Sequence, residues 1–347
     1  MDSQGSSEKR FQAEEIERRE SYAAPAGFGQ KAKRHCSRFW WLHLIIFCVI
    51  FLIVALLLVY VGMPKIAQNG VDKSTIEITQ LKFLEPTSES VVLSQAVILH
   101  SPSIFTPTLD PFTAASWLVT NGTFNPTPML MIPMPQIHAL HPQSNISVSN
   151  LNLTITNLDQ VTDYATALIT QEEVSTALTG KTKLHEGKLP VVNINFNSTS
   201  TYKGMNGLKG FNVTGVIINS TATPGEPNLK GFAYIPNPSV ITVALGNVTL
   251  TMSTAKGVVG NATINDMTLV PGNNTLPMSG IIDQTLIAAS LNSSGFVTLS
   301  IAGQSAIYNG QHLTYYEKPL MTNVLSLDMN VLQVLADSTA AANKTSS

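Results

Sequence analysis

The sequence predicts a mainly β protein: one N-terminal transmembrane helix, then two tandem antiparallel β-sandwich repeats with a short helix each. Three observations predict it. Residues 44–61 form an eighteen-residue run without a formal charge. After that run, apolar residues alternate with polar ones in short stretches separated by Gly, Pro and Asn clusters, which is the signature of antiparallel strands. The third is a recurring order of strand, proline break, strand, helix, glycine and strand in the two halves of residues 70–335.

The apolar run is long enough to cross a hydrocarbon core of about 30 Å at 1.5 Å per residue. Trp40 and Trp41 precede it and Tyr60 ends it, as an interfacial aromatic belt does. Lys31, Lys33, Arg34 and Arg38 lie just before it, and only Lys65 and Lys73 lie close after it. The positive-inside rule then puts the N-terminus in the cytosol and the C-terminal part in a lumen or outside the cell. The long preceding tail and the missing A-x-A-like site favour an uncleaved anchor over a cleaved signal peptide.

The expected organisation follows. Residues 1–38 are a disordered cytosolic tail, charge-dense over 8–20 and basic beside the membrane over 31–38. Residues 42–62 are the transmembrane helix. Residues 70–204 and 205–335 are the first and second β-sandwich domains, and 336–347 is a disordered tail. Cys36 sits where S-palmitoylation occurs. The chain has two cysteines, Cys36 and Cys48, so the part beyond the anchor holds neither a disulfide nor a thiolate metal site.

Strands are expected over 74–81, 146–148, 151–155, 192–196 and 296–301, where apolar residues fall at every second place. Helical spacing appears over 158–178, with Asp159 or Asp163 in its first turn and Gly180 as its stop. A shorter helical match covers 284–291. Pro236 and Pro238 predict a kinked connection between strands 228–235 and 239–252. The apolar face moves from Ile241, Val243 and Leu245 to Val248, Leu250 and Met252. A bulge or turn is therefore required at Gly246-Asn247.

Eleven N-x-S/T sequons follow the apolar run: Asn121, Asn145, Asn152, Asn197, Asn212, Asn219, Asn247, Asn261, Asn273, Asn292 and Asn343. Roughly five would arise by chance in so Ser/Thr-rich a region under the motif rule. The excess is consistent with a secretory-pathway lumen. Asn237-Pro238-Ser239 is barred as an acceptor by its proline.

The motifs "IPNPSV", "GNVTLTM" and "GVVGNATINDMTLVPGNNTLPMSG" resemble the late-embryogenesis-abundant type 2 (WHy) β-sandwich. The layout over residues 40–330, with "AQNGVDKSTIEI", "DPFTAASWL", "NLKGFAYIPNPSV" and "NGQHLTYYE", resembles a fungal family of single-pass membrane proteins of unknown function. The resemblance implies a duplicated luminal sandwich. It implies the fungal vacuole membrane first, with another endomembrane or the plasma membrane as alternatives. One relative is associated with ending autophagy, which implies a regulatory role there.

Catalytic sets are weak. His138 and His141 are three apart in a proline-rich stretch that no helix presents. The run Gly303-Gln304-Ser305-Ala306-Ile307 lacks the last glycine of a nucleophile elbow. Gly204, Gly207 and Gly210 lack phosphate-loop spacing. Residues 125–142 hold five prolines with Met129, Met131, Ile132, Met134 and Ile137, an adaptable apolar surface for a lipid tail or partner peptide; the plainer alternative is a connecting edge packed on the sheet.

The chain is 44% hydrophobic and 12% charged, with net charge −2, so no nucleic-acid partner is expected. No cofactor is expected. The functional reading is a non-enzymatic type II membrane glycoprotein whose luminal sandwich binds a lipid or protein partner. Its tail is read as meeting anionic lipid or an adaptor. The alternatives are a structural or signalling protein acting through that tail and, third, a luminal hydrolase.

Overall fold

The computed structural model describes residues 28–345, with side chains from 39 to 343. The expected tail features over 8–20, and the side chains of Cys36 and of the basic patch up to Arg38, lie outside the described residues. The described residues divide into two units, one up to Met63 and one from Pro64 onward. In the first, helix α1 (Phe28–Leu57) begins inside the stretch expected to be disordered and is interrupted by a non-helical Phe39. Among the described residues one helix is long and apolar enough to span a membrane. Its large side chains, Phe51 and Leu58 among them, are exposed.

Helix α1 passes through a π-helical turn (Leu58–Gly62) into α2 (Met63–Asp72). The Met63 N–H donates to the Leu58 carbonyl, five residues back. Pro64 has no N–H, and its ring crowds the carbonyl four residues before it. One widened turn accommodates both. Ala67 and Val71 of α2 pack against the core of the second unit.

The first half of that unit contains β1 (Thr75–Leu84), β2 (Ser90–His100), β3 (Thr108–Leu109), β4 (Phe112–Thr120), β5 (Thr123–Phe124), β6 (Leu130–Met134), β7 (Ile137–His138) and β8 (Gln143–Thr154). Helix α3 (Leu158–Thr170), β9 (Glu173–His185) and β10 (Val192–Lys203) complete it. The second half contains β11 (Asn212–Ile218), β12 (Leu229–Asn237), β13 (Ile241–Thr254), β14 (Gly257–Leu269), β15 (Gly272–Ile282) and α4 (Gln284–Ala289). It ends with β16 (Phe296–Tyr308), β17 (Gln311–His312), α5 (Thr314–Thr322), β18 (Leu325–Asn330) and α6 (Val331–Thr345).

An eleven-stranded sheet runs β11-β12-β15-β14-β13-β1-β2-β8, with β16 on β13 and β17 and β18 on β16. A seven-stranded sheet runs β5-β4-β9-β3-β7, with β10 on β9 and β6 on β4. The sheets form a β-sandwich-like arrangement. Strand β10 shows why: every even residue from Val192 to Tyr202 is buried and every odd one is exposed, so one face must be covered.

Strands from both expected domains share the larger sheet. Their junction is the parallel pairing of Leu81–Phe83 on β1 with Ile241–Val243 on β13. Strand β13 changes face at Gly246, where the register to β14 shifts on both sides, as the alternation demanded. Gly246 has φ +71°, and a Cβ there would lie 2.3 Å from the Ile307 carbonyl oxygen; only glycine fits.

Three further expectations need correction. Helix α3 stops at Thr170 and is capped by Asn157, whose side chain accepts from the Gln160 N–H. The apolar residues beyond it, Val174, Ala177 and Leu178, belong to β9. Pro236 lies in strand β12, past the last β11 pair at Tyr234, where only β15 remains as a neighbour. Residues from 336 to Thr345 are helical, not a disordered tail, because α6 lies along β11. There Val334 packs on the core and the Ile218 N–H donates to Ser338 Oγ at 2.9 Å.

The turn from β12 to β13 is built on Asn237, which is 1% exposed. Its Oδ1 accepts from the Ser239 N–H at 3.1 Å and from Ser239 Oγ at 2.6 Å. Its Nδ2 donates to the Ile241 carbonyl at 2.8 Å, and the Ile241 N–H donates to Ser239 Oγ. Truncating this amide strands several buried groups, each worth roughly 1–3 kcal/mol. Asn237→Ala is expected to cost about 3 kcal/mol, read as a lowered urea midpoint of the micelle-held chain at unchanged slope. A midpoint equal to wild type removes the turn from the list of stabilising contacts.

Candidate functional site

The first half encloses a cavity of about 60 Å³ between its two sheets. Phe83 and Leu93 of the larger sheet form one wall, and Leu130, Ile132 and Leu178 of the smaller sheet form the other. Leu168 of α3 and Tyr315 and Tyr316 of α5 close it. Gln95, Ser116 and Thr176 are the polar groups in an otherwise apolar lining. That composition, apolar walls with a few converging polar atoms, is the usual character of a small-molecule pocket.

Four tyrosines organise the site. Tyr164 Oη and Tyr202 Oη lie 3.0 Å apart in the interior. The Tyr164 ring meets Phe83 edge-on, with centroids 6.0 Å apart. Tyr315 and Tyr316 tilt against each other at 4.6 Å, and Tyr315 Oη donates to the Thr87 carbonyl at 2.8 Å. Burial pushes all four phenols above their ordinary value. For Tyr164 the neighbouring Tyr202 adds to the rise. All four are therefore neutral hydrogen-bonding groups, and none is a base at neutral pH.

The proposed apolar surface lies elsewhere than at the surface. Met129, Ile132, Met134 and Ile137 are buried and Met131 is exposed. Alternation along β6 turns Leu130, Ile132 and Met134 inward. Met129 and Ile132 line the cavity, so two residues of the proposed set belong to this site. The tyrosines were missed: they come from three separate elements, and no local spacing joins them.

The five histidines beyond the anchor have separate partners. His100 meets Glu77 and His185 meets Asp110, each at 3.0 Å. His312 meets Glu317 at 2.6 Å. His138 Nδ1 lies 3.0 Å from Thr108 Oγ1 and His141 Nδ1 lies 3.1 Å from the Ser101 carbonyl. Among the described residues no three His, Cys, Asp or Glu converge as a metal site would require. The Gly204–Gly210 turn caps α3: the Met205 N–H donates to the Leu168 carbonyl and the Asn206 N–H to the Gln171 carbonyl. The Gly303-to-Ile307 run lies within β16.

All eleven sequon asparagines, Asn121, Asn145, Asn152, Asn197, Asn212, Asn219, Asn247, Asn261, Asn273, Asn292 and Asn343, are exposed. Of the fourteen other asparagines, seven are not. The two whose sequon is interrupted by proline, Asn125 and Asn237, are among those seven.

Residues 127–252 match the family described as "Protein of unknown function (DUF3712)". That stretch runs from just before β6 to within β13 and includes one wall of the cavity. No curated protein matches. Among solved structures, the crystal structure of red sea bream transglutaminase is similar at 11% identity and TM-score 0.22. It is matched over 66% of this chain and 28% of its own length, so the chain spans under a third of that protein. The periplasmic chaperone SfaE is similar at 11% identity and TM-score 0.17, over 73% of this chain and 98% of its own.

The buried tyrosines are expected to set the alkaline limit of the fold. An unfolded phenol titrates near 10, and the buried ones titrate higher. The stability they lend is complete below about pH 10 and is lost as pH rises toward the folded pKa, because the unfolded chain releases its protons first. The urea midpoint is expected to fall from about pH 10 upward, with a shallower fall in Tyr202→Phe. An equal fall in wild type and variant shows that other groups set the limit.

Proposed function

We propose that the chain is a non-enzymatic, single-pass type II membrane glycoprotein whose sandwich, on the luminal side, binds the apolar chain of a lipid or of a partner. The observation that carries the binding reading is the apolar cavity with its neutral tyrosine pair. As it stands the cavity admits a short alkyl group. A longer chain requires α5 to part from α3, the boundary of the cavity that is closed by packed side chains rather than by a hydrogen-bonded ladder. The lysine and arginine bias around the anchor supports the orientation. The uniform exposure of the sequon asparagines supports glycosylation, since an acceptor must remain at the surface once folded. The fungal vacuole or endomembrane location, the late-embryogenesis-abundant type 2 likeness and a role in autophagy rest on the motif resemblance alone.

Two measurements test this. In cells fed a diazirine-bearing phospholipid, irradiation of the full chain is expected to attach label at Met129, Leu130 or Leu168 as well as along the apolar helix. Ala165→Leu, which grows into the cavity from α3, is expected to remove the label at Met129, Leu130 and Leu168 and keep the helix label. A wild-type chain unlabelled at Met129, Leu130 and Leu168 overturns the binding reading. Separately, peptide N-glycosidase is expected to lower the apparent mass of the full chain made in a eukaryotic host, stepwise fewer times as sequons are changed to Gln. A chain whose mobility the enzyme leaves unchanged overturns the luminal assignment.

A further inference from the structure

One end of the first sandwich exposes apolar side chains where a soluble surface has little use for them. The loops are 101–107 between β2 and β3, 139–142 between β7 and β8, and 186–191 between β9 and β10. Ile104 is 80% exposed and Val191 52%, and Phe105, Leu140 and Leu189 are exposed with them. Register places the three loops together: His100 pairs with Gln143, Thr108 with His138, and Thr108 with His185. The Ser101 N–H donates to the Pro142 carbonyl at 2.9 Å.

Helix α2 stands at this same end. Gln68 clasps β10 by donating to the Asn195 carbonyl at 2.8 Å and accepting its N–H at 2.9 Å. A Cβ on Gly70 would lie 3.9 Å from Ser103 Cβ, and Thr75, three residues beyond α2, pairs with His100. Ile66 of α2 is itself 53% exposed. Within this unit, the six helical rises from Pro64 to Gly70 span about 9 Å, comparable to the headgroup layer of a bilayer, and Pro64 follows the apolar run by three residues in sequence.

We infer that this end is a membrane-contact surface: Ile66, Ile104, Phe105, Leu189 and Val191 rest in the interface of the phospholipid bilayer that the chain itself crosses. The inference deepens the proposed function and rests on reading residues 39–62 as a span. Apolar side chains on a rim with exposed Lys65, Lys73 and Lys188 match what an interfacial segment presents to acyl chains and phosphates.

The full chain carries the test in a background of Cys36→Ser and Cys48→Ala. Single sites Ile104→Cys, Val191→Cys, Leu52→Cys and Val258→Cys receive an environment-sensitive fluorophore. Each protein is reconstituted in phosphatidylcholine vesicles containing a brominated-acyl phosphatidylcholine. Val258 is the distant control, because β13 starts level with Leu81 and runs on in the direction of β1, away from α2. The expected result is blue-shifted, bromine-quenched emission at Ile104, Val191 and Leu52, with Val258 unquenched. Adding Ile104→Glu and Phe105→Glu is expected to abolish quenching at Val191 while Leu52 stays quenched. Quenching at Leu52, with Ile104 and Val191 behaving as Val258 does, overturns the contact surface and leaves the span standing. No quenching at Leu52 overturns both.

Discussion

The rest of the structure depends on the hydrogen bonds that Asn237 and Ser239 make at the entry to β13. Strand β13 has neighbours β1, β14 and β16, so within the larger sheet it is the strand that joins the first half to the second. Its starting point must be fixed to within one residue, because a one-residue slip sends the apolar face to solvent. The buried amide fixes it by holding both the N–H and the carbonyl of Ile241 through side chains. The next link is the Leu81 N–H, which donates to the Val240 carbonyl at 3.2 Å. From there the parallel pairing with β1 and the bulge at Gly246 follow in turn.

Open sheets leave edges, and this molecule treats its edges consistently. Strands β8 and β11 end the larger sheet, and β10 flanks the smaller one. Side chains from helices satisfy edge backbone on two of them: Gln68 on β10 and Ser338 on β11. All three also carry exposed sequon asparagines, Asn145 and Asn152 on β8, Asn197 on β10 and Asn212 on β11. Polar groups along an edge oppose pairing with another chain.

Much of the strand layout was legible because period-two alternation needs only local residues; β10 keeps it throughout, and β1, β8 and β16 keep it on either side of a change of phase. The helix over 158–178 was overdrawn because Val174, Ala177 and Leu178 fit both periods, and pairing with β4 decided for a strand. Met129 to Ile137 read as surface because the prolines hid a strand and Met131 masked its alternation. The cavity was not legible at all. Tyr164, Tyr202 and Tyr316 meet through sheet packing and the docking of α5, and nothing local records that. The sequons were legible, but their exposure required the fold.

The parallel pairing of β1 with β13 has a consequence for biosynthesis. Its partners, Leu81 and Ile241, are 160 residues apart. At synthesis rates of about 5–20 residues per second, the end of β1 waits roughly 10–30 s for its neighbour to be made. Throughout that interval the first half can pair β1 only with β2. An unfilled strand edge is then presented to the compartment in which the nascent chain folds, and such an edge is open to pairing with another chain until β13 arrives.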